Sequence, residues 1–166
     1  MLQAILTYLD RVDEPMAAFV LDRQEALVGR DPLAEWLVLQ YEMGKGFLES
    51  HNLLNLPEVR KDARNLPEVV KRVRQEPFQV RLGETLFIGI PSDLRLARSH
   101  FAIRRAVGES GEVLFLVRDL RSHCGFIVND ARNAGSAEMQ LKAGDRIHYG
   151  FEFVFDVVGG HEVKDR

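Results

Sequence analysis

Cysteine is nearly absent: Cys124 is the only one in 166 residues, so no internal disulfide can form. A chain built that way suits a reducing compartment, and a cytoplasmic location is expected. Long apolar runs are missing too, and none approaches the ~20 residues that a membrane-spanning helix needs. The opening stretch M-L-Q-A-I-L-T-Y-L-D has no basic residue and breaks at Asp10, unlike a secretory leader. An excess of one charge is also lacking. Lys and Arg number 22 against 25 Asp and Glu, a net charge of −3, which excludes a global pull toward nucleic acid or an anionic membrane. Metal-ligand spacing does not occur: His51, His100, His123, His148 and His161 are scattered, without H-x-x-x-H or C-x-x-C. His100 and His123 read as hydrogen-bonded loop residues. There is no G-x-G-x-x-G, Gly44-Lys45-Gly46 lacks the phosphate-loop spacing, and Gly108-Glu109-Ser110-Gly111 is one residue short of a nucleophile elbow. No cofactor and no catalytic set is implied.

What is present is a substantial core, at 46% apolar residues, and a change of texture partway along the chain. Leu2, Ile5, Leu6 and Leu9 fall at i, i+3, i+4 and i+7, which predicts a short helix. Residues 17–21 and 26–28 read as two strands of a hairpin closed by Gly29. Asp31-Pro32 is an N-cap followed by a first-turn proline, opening a helix to about residue 43. Asn55-Leu56-Pro57-Glu58-Val59 recurs as Asn65-Leu66-Pro67-Glu68-Val69, predicting two short helices. The basic residues around this echo read as a solvated face. From Pro77 onward, short apolar runs alternate with Asp, Gly and Ser breaks: strands at 78–82, 85–88, 94–96, 101–105, 113–117, 126–128, 147–149 and 153–157, with a loop at 131–138. The expected organisation is a mostly helical segment over 1–76 with a hairpin at 17–29, an all-β sandwich over 77–158, and a tail at 159–166.

Motifs in the second half arrive in a telling order. They are Gly89, then Ser92-Asp93-Leu94-Arg95-Leu96, Arg98, His100-Phe101-Ala102-Ile103, Asp119, Ser122, Gly125, Val128-Asn129 and Gly144-Asp145-Arg146-Ile147. This series resembles the forkhead-associated (FHA) family, whose members show G-R, S/C-D-I-x-L, S-R-x-H-a-x-I, D-x-S-x-N-G-T-x-V-N and G-D-x-I-x-x-G. The resemblance implies an FHA-like antiparallel β-sandwich whose loops read phosphothreonine. It also implies that Ile90 stands where the family has a phosphate-contacting Arg, Ala97 where it has a phosphate-bonding Ser, Cys124 in place of a peptide-gripping Asn, and Phe126 in place of Thr. Ile, Ala and Phe supply no side-chain donor, and Cys only a weak one. A second Gly-Arg, Gly29-Arg30, ends the first hairpin; it either opens a sandwich interrupted by the helical segment or, the preferred reading, is a coincidence or a decayed copy.

The expected function is therefore a non-enzymatic protein-interaction module that binds a protein partner through residues 89–100 and 120–132 without requiring phosphothreonine. Arg95, Arg98, Ser99, Arg121, Ser122, His123 and Asn129 are the candidate binding residues. Two alternatives stay open. One is a phosphothreonine-peptide reader using Arg98, Arg95 or Arg30. The other is a structural or assembly subunit forming homo-oligomers through its N-terminal helices.

Overall fold

A computed structural model describes residues 3–10, 12–43, 53–59, 73–120, 122–133 and 137–159. Among the described residues, twelve strands form two six-stranded sheets packed face to face. The first sheet runs β2 (Pro15–Val20), β1 (Gln3–Leu9), β12 (Glu152–Val158), β11 (Arg146–His148), β8 (Phe126–Val128) and β9 (Ala131–Asn133). The second runs β10 (Glu138–Gln140), β7 (Val113–Asp119), β6 (Phe101–Val107), β3 (Glu25–Gly29), β5 (Thr85–Gly89) and β4 (Phe78–Leu82). Neighbours pair antiparallel except β3 and β5, which run parallel with Gly29 beside Gly89.

The core follows from alternation. Leu6 and Tyr8 of β1, Phe101 and Ile103 of β6, Phe115 and Val117 of β7, and Phe153 and Phe155 of β12 all point between the sheets and are buried. Phe101 meets Phe126 at 5.6 Å and Phe153 at 5.5 Å between ring centroids. Each fully buried phenyl contributes about 1.5–3 kcal/mol of transfer free energy.

A second apolar cluster lies on the outer face of the β3–β5–β4 side. Helix α1 (Pro32–Met43) and a 3-10 turn at Leu53–Asn55 supply Leu33, Leu37 and Leu53, which pack with Phe78 and Phe87. Trp36 sits 5.3 Å from Phe87. Asp31 caps α1 as expected, its Oδ1 accepting the Ala34 N–H at 3.1 Å. The wholly buried carboxylate of Glu58 is neutralised by Arg74, whose guanidinium also lies 5.0 Å from the Phe78 ring.

The sandwich is as expected, but it recruits the first half of the chain. Residues 3–9 are strand β1, not a helix: Ala4, Leu6 and Tyr8 bury one face with period two, and β12 supplies seven register partners. With Leu6 and Leu9 inside the fold, residues 3–9 supply no helical seam; of the expected N-terminal helices α1 is present, with Leu33 and Leu37 turned onto the sheet. The two strands at 17–29 are real but form no hairpin, because β2 pairs with β1 while β3 crosses to the other sheet. Strands on both sides of residue 76 share sheets, so the expected division there does not separate two folding units. Residues 94–96 form turns, since buried Asp93 draws the backbone N–H of Arg95 onto its own carboxylate. The loop expected at 131–138 contains β9 and the start of β10. The first copy of the Asn-Leu-Pro-Glu-Val echo ends the 3-10 turn and continues as turns, with Glu58 turned inward to Arg74. The second copy, and the tail beyond Gly159, lie outside the described residues.

Candidate functional site

One end of the sandwich gathers the end of β3, the 91–100 loop and the loop between β7 and β8. Gly29 is the closest point of approach. A Cβ there would stand 2.2 Å from the Arg98 carbonyl oxygen, so no other residue fits without moving backbone. The Arg30 N–H donates to the Ala97 carbonyl at 2.8 Å and the Asp31 N–H to the Arg98 carbonyl at 3.0 Å. Gly29-Arg30 is thereby laced to Ala97-Arg98. This overturns the reading of Gly89-Ile90 as the Gly-Arg position: Ile90 is fully buried in the core, its N–H donating to the Gly29 carbonyl at 2.9 Å. The Gly-Arg pair at this rim is Gly29-Arg30.

His100 joins two of the loops from beneath. The Ala97 N–H donates to Nδ1 at 2.9 Å, so the neutral ring carries its proton on Nε2, which donates to the Gly125 carbonyl at 2.7 Å. Both nitrogens are engaged, which leaves none to bind a metal. Among the described residues, no group of three or more His, Cys, Asp or Glu could hold a metal ion. Burial holds the His100 pKa below the ordinary 6.5, against the opposing pull of the Gly125 carbonyl and of Asp119 and Asp93. The unfolded chain then takes up the proton more readily than the folded one. Stability therefore falls as pH drops below about 6.5, by up to about 1.4 kcal/mol per pH unit, until the folded-state pKa is reached. Urea midpoints between pH 7 and 5 measure this slope. His100→Gln should flatten it; an unchanged slope would assign it to other groups.

Several expected binding residues prove to be internal braces. Arg95 grips buried Asp93 with Nε and Nη2, both at 2.8 Å, and reaches the Gly150 carbonyl with Nη1. The Tyr8 hydroxyl donates to the same Asp93 carboxylate at 2.7 Å. Burial and the Asp93 carboxylate together push the Tyr8 phenol up to about 12. Burial also works against the Asp93 anion, but Arg95 and Tyr8 outweigh it and hold the carboxyl below its usual range. Ser122 donates its hydroxyl to Asp119 and accepts the Gly125 N–H at 2.8 Å, which folds the loop rather than facing out. Asn129 lies at the other end of β8, where with Asp130 it makes the left-handed turn into β9, at φ 50° and 65°. The structure therefore does not bring Asn129 to the rim. Ser99 is half-buried, His123 is exposed, and Arg121 lies outside the described residues.

Among the described residues, two arginines remain unpaired at the rim. Arg30 and Arg98 have no side-chain hydrogen bond or ion pair among the described residues, and the Arg30 Nε is buried without any partner. Arg98 is exposed, while Cys124 is half-buried in the facing loop. The Cys124 carbonyl accepts from Arg132 at 2.7 Å, and the Arg132 guanidinium lies 5.1 Å from the Tyr149 ring. In the sequence Arg30 stands only in the alternative of a phosphothreonine reader. The signal that identifies it is its backbone pairing with Ala97, which joins residues 67 positions apart.

No family sequence model matches the chain, and no curated protein matches it by sequence. Solved structures do. The yeast Pml1 splicing factor, from a structure of its integration into the RES complex, is 18% identical over 96% of this chain and 83% of its own, with a TM-score of 0.55. Full-length yeast Pml1p is 18% identical over 95% of this chain and 83% of its own, with a TM-score of 0.53. The MEK1 FHA domain is 12% identical over 93% and 89%, with a TM-score of 0.52. The two sheets, their strand order and these likenesses together make the fold of this chain FHA-like.

Proposed function

We propose that this chain is a non-enzymatic protein-interaction module that reads a phosphothreonine in a partner segment, with Arg30 and Arg98 holding the phosphate. One observation carries the reading: two guanidinium groups without a carboxylate or carbonyl partner among the described residues, those of Arg30 and Arg98, belong to backbone segments laced together at Arg30–Ala97 and Asp31–Arg98. A phosphate near neutral pH carries a charge of about −1.5 to −2 and three acceptor oxygens, which such a pair of planar donors suits. Half-buried Ser99, next to Arg98, brings a hydroxyl donor to the same loop.

A second reading rests on Ala97 and Cys124, which stand where the resemblance to the FHA family implies a phosphate-bonding Ser and a peptide-gripping Asn. On that reading the rim binds a partner whether or not it is phosphorylated. Titration of the full chain with matched threonine and phosphothreonine peptides separates the two. The proposal expects a preference of about tenfold or more for the phosphorylated form, falling as salt is raised. Equal affinity for both forms would establish the second reading instead.

A further inference from the structure

Arg30 and Arg98 share their lack of partners with one other arginine among the described residues, Arg105. Every remaining described arginine donates to a carboxylate or a carbonyl: Arg104 to Glu138 and Arg118 to Glu25 on the same sheet, and Arg81 to Asp22 nearby. Arg105 donates to none. Its position in the pleat makes this unusual. β6 alternates, so Arg105 points the same way as Phe101 and Ile103, into the mouth between the two sheets at the end opposite the rim. Its guanidinium lies 5.7 Å from the ring of Phe115, its register partner on β7.

Two grooves meet at this side chain. One, of about 610 Å³, is lined by Gln24, Arg104, Arg105, Ala106, Val107 and Val113. Val107 is 76% and Val113 42% exposed, a pair of aliphatic side chains left in water beside a half-buried cation. The other, of about 380 Å³, passes Val20, Leu21, Val158 and Arg105. Asp22 borders this second groove, but Arg81 holds its carboxylate through Nε at 2.9 and 3.0 Å, so it is not available to Arg105. A half-buried cation without a counter-ion is a cost that a bound carboxylate would remove.

We propose that this end of the sandwich is a second docking site, which takes an acidic–aliphatic segment of a partner protein. A carboxylate of that segment pairs with Arg105, and a neighbouring aliphatic side chain covers Val107 and Val113. The site is separate from the phosphothreonine rim and does not depend on it.

The test uses the isotopically labelled full chain and the acetylated, amidated pentapeptide Leu-Glu-Leu-Asp-Leu, with Leu-Gln-Leu-Asn-Leu as its uncharged counterpart. The acidic peptide is expected to shift the amide signals of Gln24, Val107, Val113 and Val158 while leaving those of Gly29 and Ser99 in place. The uncharged peptide should bind about tenfold or more weakly, and R105Q should remove the difference. If R105Q does not fold, R105K preserves the charge but not the planar fork, and should weaken the acidic peptide by several-fold. Absence of shifts at millimolar peptide, shifts confined to the rim, or equal binding of both peptides would overturn the proposal.

Discussion

Arg98→Ala is expected to abolish most of the preference for a phosphorylated segment, and Arg30→Ala to do the same. A hydrogen bond to a charged group is worth about 1.5–3 kcal/mol, so loss of either guanidinium should weaken phosphopeptide binding by about tenfold to a hundredfold. Affinity for the unphosphorylated peptide should hardly change, because the lost partner is the phosphate. The double variant should bind both forms alike. Stability separates a ligand role from a structural one. The buried Nε of Arg30 has no acceptor, a deficit of about 1–3 kcal/mol for the unliganded fold. Arg30→Met keeps the stem and removes the orphaned donor, so its melting temperature should equal or exceed that of the parent while phosphopeptide affinity falls. A brace would behave in the opposite way, and Arg95 supplies the contrast. Arg95→Met strips the cation from buried Asp93 and should destabilise the fold. An Arg30→Met variant that melts lower and still prefers phosphothreonine would remove Arg30 from the site.

The contrast between Arg30 and Arg95 shows where the sequence was legible and where it was not. The later strands could be read because alternation and turn chemistry coincide: Val113, Phe115 and Val117 alternate along β7, and Gly144 at φ 89° makes the turn that precedes Ile147. β1 was ambiguous because Leu6 and Leu9 suit both a helical face and a strand, and only the seven-residue register with β12 decides between them. The Gly-Arg position was ambiguous for a different reason. β3 and β5 lie side by side in parallel register, with Val28-Gly29 beside Ile88-Gly89, so two Gly-ending strands compete for one motif. Proximity along the chain favoured Gly89, which is nine residues from Arg98, but the pairing of Arg30 and Asp31 with the 97–98 backbone places Gly29 there instead. The residues between the two glycines include α1, which packs on the outer face of the sheet, and the β4–β5 hairpin, which extends the sheet beside β3. Side-chain roles within the rim were least legible. Arg95, Arg98 and Ser122 look alike as polar loop residues, and what separates them is a buried carboxylate, Asp93 or Asp119, which occupies two of the three.

Gly29→Ala should damage fold and binding together. The added methyl carbon would stand 2.2 Å from the Arg98 oxygen, 2.7 Å from its carbonyl carbon and 2.8 Å from the Ala97 oxygen. All three are backbone atoms, so no rotamer change relieves the clash, and the 97–98 segment must move away from β3. That movement strains the Arg30–Ala97 and Asp31–Arg98 hydrogen bonds and separates the two cations proposed to share a phosphate. Overpacking of this kind costs about 1–3 kcal/mol or more, which in a domain of this size lowers the melting temperature by roughly 3–10 °C. Phosphopeptide affinity should fall by about tenfold or more, because positioned donors lose strength steeply with misalignment. Gly111→Ala is the matched control. Gly111 sits at φ 82° with open space around it, at the hairpin tip between β6 and β7 and far from the rim. It should lose stability through backbone strain of about 1–2 kcal/mol while leaving phosphopeptide affinity unchanged. Thermal melts and peptide titrations of the two variants together decide the matter. If Gly29→Ala bound phosphopeptide as the parent does, the close backbone contact would not be what sets the spacing of Arg30 and Arg98.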